Sequence, residues 1–111
     1  GGDGSEACSA DMLLQALLAS VGVTMRSVAT AMGIRIDSAE LSADGMFDVQ
    51  GTLGLSREVP VGVQDIRVTA TLTTDADDGA LAKLAELTER YCVVAQTLAH
   101  RPSITISRDA S

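Results

Sequence analysis

Apolar residues in the segment 9–32 fall on nearly every side of a helical wheel. Met12, Leu13, Leu14, Leu17, Leu18, Val21, Met25, Val28 and Met32 leave almost no polar face, and a helix that is apolar all round is a buried one. Ser9 and Asp11 supply an N-cap oxygen and a first-turn acid that complements the helix dipole. Gly33 stands where a left-handed residue would end the helix. At about 1.5 Å per residue such a helix is roughly 35 Å long, a large element for a small domain. It needs cover on several sides, and a partner subunit is the inference.

After residue 33 the pattern changes to strands. Segments 36–43 and 46–55 flank Asp44-Gly45, a dipeptide that favours a two-residue hairpin. A loop around Pro60-Val61-Gly62 leads to Ile66, Val68, Ala70 and Leu72, which alternate with Arg67, Thr69, Thr71 and Thr73. That period of two predicts a half-buried strand. The acidic cluster Asp75, Asp77 and Asp78 opens a second helix with Leu81, Leu84, Ala85 and Thr88 on one stripe. The chain turns around Tyr91-Cys92, residues 93–98 read as a short helix, and 102–107 as a last strand. The order helix, three strands, two helices, strand predicts an α+β fold, with the long buried helix packed on an antiparallel sheet.

Length and composition narrow the function classes. The chain has 111 residues, the size of a single domain. Aromatics are nearly absent, with only Phe47 and Tyr91, so the core is aliphatic. A formal charge of −7 with scattered basic residues disfavours nucleic acid and anionic membrane surfaces as partners. The most apolar run, 10–23, is shorter than the roughly 20 residues of a membrane span, and no signal peptide is visible. Two cysteines, Cys8 and Cys92, are too few for a disulfide scaffold. The expected compartment is a reducing cytoplasm with free thiols.

Chemistry-bearing residues are few. His100 is the single histidine, without cysteines or acids at ligand spacing, so no metal site is expected and the residue reads as an exposed member of the turn before Pro102. Ser20 lies inside a helix, not on the strand-to-helix elbow of a serine hydrolase.

Two segments carry a family resemblance. Ala7-Cys8-Ser9-Ala10-Asp11-Met12-Leu13-Leu14-Gln15-Ala16-Leu17-Leu18-Ala19-Ser20-Val21-Gly22-Val23-Thr24 resembles the central helix of OsmC-like proteins, where a leucine-rich stretch runs into Ala-Cys-x-x-x-Thr. Glu89-Arg90-Tyr91-Cys92-Val93-Val94-Ala95-Gln96-Thr97-Leu98 is similar to that family's Cys-Pro-Val segment before its last strand. Gly51-Thr52-Leu53-Gly54-Leu55 and Val59-Pro60-Val61-Gly62 fit between them, so the likeness covers about residues 7–107.

The resemblance implies a thiol-dependent organic hydroperoxide reductase, acting as an intertwined homodimer without a cofactor. In such proteins a first cysteine attacks the peroxide, becomes a sulfenic acid and condenses with a second cysteine. A dithiol reductant such as a lipoylated protein then restores both thiols. Residue by residue, Ser20 holds the first position, Cys92 the second, and Asp11 stands where relatives carry an acid near the helix start. The family's strands before the central helix have no counterpart in 1–111, which reads as one domain. A serine hydroxyl is a far weaker acid than a cysteine thiol, at about 8.5, and cannot cycle through a disulfide. Peroxide turnover is therefore in question, and three other readings stand beside it. The chain can be a non-catalytic relative that binds a small molecule, an interaction domain, or an enzyme in which serine has been introduced for cysteine. Cys8 lies twelve residues before Ser20, about 18 Å along a helix, and reads as a small apolar residue.

Overall fold

The structure, a computed structural model, describes residues 9–46 and 61–109. The first element is the long helix α1, Ser9–Met32. It ends where Gly33 takes φ 74°, a conformation that glycine adopts without steric cost. There Gly33 N–H donates to Thr30 and Ile34 N–H to Ala29, satisfying the last carbonyls. Strands β1, Ser38–Met46, and β2, Gln64–Thr73, follow. Helix α2, Asp78–Tyr91, is capped by the Asp77 side chain, which accepts from Ala80 N–H at 2.8 Å. The five-residue helix α3, Val93–Thr97, and strand β3, Ser103–Arg108, complete the order.

The sheet has the order β1-β2-β3. β1 and β2 are antiparallel, with Leu41 opposite Ala70. β3 runs parallel to β2, with Val68 opposite Ile104. The sheet is thus mixed where the sequence reading has it wholly antiparallel. The cause is the connection: α2 and α3 together carry the chain back to the end of the sheet where β2 began, and such a helical crossover produces a parallel pair.

The Asp44-Gly45 hairpin is also corrected. Both residues lie inside β1, where Asp44 pairs with Arg67 and Met46 with Gln64. Two β2 residues, Asp65 and Ile66, therefore face the one residue Gly45, a β-bulge whose member Asp65 takes φ 51°. Gly45 is required by crowding: a Cβ there would lie 2.5 Å from Val63 Cγ1 and 3.3 Å from Ile66 Cγ1. Turn chemistry and close backbone approach both select glycine, and here the second applies. The strand expected over 46–55 and the Gly51–Leu55 motif lie outside the described residues beyond Met46.

All three helices cover one face of the sheet. One cluster joins Met25 and Ala29 of α1, Ala70 and Leu72 of β2, Leu81 and Leu84 of α2, and Ile106 of β3. A second joins Leu17 and Val21 to Ile66, Val68, Cys92 and Ala95. The opposite face carries the exposed polar side chains Ser42, Asp44, Arg67, Thr69, Ser103 and Thr105.

α1 is less enclosed than its composition predicts. Its buried residues form one stripe, Leu17, Val21, Met25 and Ala29, while Met12 is 57% and Val23 70% exposed. Sheet, α2 and α3 all pack on one side, so the outer apolar residues find no cover among the described residues. By length and hydropathy α1 also meets the criteria for a membrane span. One stripe of it packs against the sheet, α2 and α3.

Candidate functional site

The second core cluster ends at the junction of α2 and α3, where Cys92 caps both helices. Its N–H donates to the Thr88 carbonyl at 2.9 Å, and its own carbonyl accepts from Gln96 N–H at 2.9 Å. The Gln96 side chain reaches back to the Glu89 carbonyl, also at 2.9 Å. These bonds fix the backbone of a residue whose side chain is completely buried among Leu17, Val21, Ile66, Val68 and Ala95. Its sulfur is a free thiol.

Facing it from α1 is Ser20, half-buried, with Oγ 3.2 Å from the Cys92 sulfur. Either atom can donate in this hydrogen bond. The two residues that the sequence places at the family's cysteine positions are thus brought into direct contact. Asp11 is elsewhere: it is exposed in the first turn of α1, nine residues before Ser20 and so roughly 13 Å along the axis. Cys8 lies outside the described residues. His100 is exposed in the bend before Pro102.

A groove of about 500 Å³ lies between α1 and α2, lined by sequence neighbours of this pair but not by Ser20 or Cys92 themselves. Thr24, one turn after Ser20, and Tyr91, next to Cys92, line it together with Val23, Ser27, Val28 and Leu87. Its walls carry hydroxyls and aliphatic groups but no charged side chain. Such a lining suits an uncharged, largely apolar molecule with one or two polar atoms.

Thr88 is the buried neighbour of Cys92 that sequence reasoning missed. It was legible as the polar member of the α2 stripe, but not as a residue one turn before Cys92 in a closed core. It is fully buried, and its Oγ1 has no hydrogen-bond partner.

Comparison with other proteins places this architecture. The family model for OsmC-like proteins matches residues 2–107. No curated protein matches the sequence at a significant level. Among solved structures, an OsmC-like protein from Mycoplasma pneumoniae superposes with a TM-score of 0.72 at 18% identity, covering 88% of this chain and 67% of its own. An organic hydroperoxide resistance protein from Elizabethkingia anophelis gives 0.74 at 12% identity, with coverage of 95% and 71%. One from Legionella pneumophila gives 0.66 at 10% identity, with coverage of 97% and 73%. Identities this low speak for the fold, while the sequence-model match spans nearly the whole chain. The chain belongs to the OsmC-like protein family.

Proposed function

We propose that this chain keeps the ligand cleft of a thiol-dependent organic hydroperoxide reductase but has an alcohol where the nucleophilic thiol belongs. It then holds an organic hydroperoxide, or a similar small apolar molecule, without reducing it. The observation that carries the proposal is the 3.2 Å contact between Ser20 Oγ and the Cys92 sulfur. Two cysteines so placed would form a redox pair, whereas a serine and a cysteine cannot.

The missing chemistry can be written out. A thiolate at position 20 would attack the O–O bond, forming S–O as the alcohol leaves and giving a sulfenic acid. The Cys92 thiol would displace its hydroxyl as water, closing a disulfide that an external dithiol reopens. Ser20 can do neither step, because it is not ionised near neutral pH and an alkoxide has no sulfenate equivalent. It can still hydrogen-bond a ligand oxygen, as can Thr24 and Tyr91 of the groove. Asp11 keeps its place as the acid near the helix start and complements the helix dipole there.

A second copy of the chain is the partner proposed for the outer side of α1, where Met12, Ala16, Ala19 and Val23 are exposed. A reducing cytoplasm suits the free Cys92 thiol.

The test is hydroperoxide consumption with a dithiol reductant, run on the unaltered chain and on Ser20→Cys. Turnover by the variant alone supports the proposal. Turnover by the unaltered chain would make Cys92 or Cys8 the nucleophile and overturn it.

A further inference from the structure

A second cavity, of about 500 Å³, opens at the other side of the fold where β2 and β3 begin. Gln64, Asp65, Arg67, His100, Arg101 and Ser103 line it together with Ile66. Three of the chain's basic residues line it, out of eight Lys and Arg and one His in a protein of formal charge −7.

The topology makes this gathering. The parallel register sets Arg67 directly opposite Ser103. The bend that delivers β3 carries His100 and Arg101, and buried Pro102 fixes the chain behind them. Arg101 is anchored through one guanidinium nitrogen, which donates to the Ala95 carbonyl at 3.1 Å. A guanidinium has five N–H donors, so this bond holds it in place without exhausting it. Arg67 touches Asp44 through Nε at 3.5 Å, with both side chains about two-thirds exposed. That contact is a weak surface pair. The β-bulge lies at the same spot. Asp65, the cavity's one acid, sits at φ 51°, a backbone region uncommon outside glycine. Bulges of this kind re-aim side chains beside binding sites.

We propose that this cavity binds a tetrahedral oxyanion, either inorganic phosphate or the phosphate group of a phosphate monoester. Two guanidinium groups, an imidazole, the Ser103 hydroxyl and the Gln64 amide are all potential donors. Such an array exceeds what the two oxygens of a carboxylate require and matches the acceptor oxygens of a phosphate group. The site includes neither Ser20 nor Cys92 and shares no lining residue with the groove between α1 and α2.

The test is calorimetric titration of the full chain at low ionic strength with inorganic phosphate, and in parallel with phenyl phosphate. Saturable one-to-one binding is expected, weakened about tenfold in Arg67→Gln and in His100→Gln. Arg67→Lys, which keeps the charge but loses the fork, should fall between the parent and Arg67→Gln. Arg26→Gln, on α1 and away from the cavity, should bind as the parent does. Tighter binding of phenyl phosphate would identify a phosphorylated ligand, and equal or tighter binding of inorganic phosphate the free ion. Binding that never saturates, that chloride at matched ionic strength displaces equally, or that Arg26→Gln weakens as much as Arg67→Gln would overturn the proposal. Thermal melts of each variant establish that a loss is local.

Discussion

Ser20 Oγ and the Cys92 sulfur meet at 3.2 Å although 72 residues separate them in the chain. The long first helix supplies one atom and the junction of two later helices the other, over a β-sheet that neither belongs to. A disulfide needs its sulfurs at about 2.0 Å, so about 1 Å of approach would bond a cysteine at position 20 to Cys92. Oxidised Ser20→Cys protein should show the peptide carrying position 20 crosslinked to the Cys92 peptide in non-reducing mass spectrometry. Exclusive pairing of Cys92 with Cys8 would contradict the geometry.

At the bulge, crowding and not turn conformation selects Gly45. Gly45→Ala should then cost about 1–3 kcal/mol in denaturant unfolding, the usual range for overpacking. Because the added Cβ would meet Val63 Cγ1 first, Val63→Ala should recover much of the loss in the double variant. Additive effects of the two substitutions would point instead to backbone conformation at residue 45.

Asp77 caps α2 through its 2.8 Å bond to Ala80 N–H. Replacing it with alanine should lower stability by about 1 kcal/mol, whereas Asp77→Asn, which retains an acceptor oxygen, should stay close to the parent. Equal losses in the two variants would attribute the effect to charge and not to the cap.

Thr88 lends itself to the opposite sign. Its hydroxyl is buried without a partner, and an unpaired buried hydroxyl costs stability. Thr88→Val keeps the shape and removes the polar atom, so the unfolding midpoint should rise by the equivalent of about 1 kcal/mol. A falling midpoint would mean that the hydroxyl is satisfied in solution, with an internal water as its partner.

Much of this architecture is readable in the sequence, and the failures have physical causes. α1 was legible to both ends because its apolar run, its first-turn acid Asp11 and Gly33 agree. β2 was legible because Ile66, Val68, Ala70 and Leu72 alternate with polar residues over the whole strand. Asp44-Gly45 misled because glycine answers two different demands and the sequence does not say which. The direction of β3 was missed although a helical crossover implies it. The sequence implied that α1 needs more cover than the chain supplies, but not which side lacks it, because Met12 and Val23 look no different in sequence from the buried Leu17 and Met25. For the site, family resemblance supplied the pairing of Ser20 with Cys92, but no sequence pattern pointed to Thr88 as a buried neighbour of Cys92, or to Arg67, His100 and Arg101 lining one cavity. Those depend on strand register and on how the crossover returns.

The complete burial of Cys92 also makes the thiol a clock for fold opening. A modifying reagent can reach that sulfur only after α3, or the end of α2, has lifted from α1, so its labelling rate reports how often the junction breathes. Slow labelling of Cys92, resolved from Cys8 by peptide mapping, would measure how firmly the site stays assembled. Faster labelling on adding denaturant well below the unfolding midpoint would reveal the junction as an early-yielding part of the molecule.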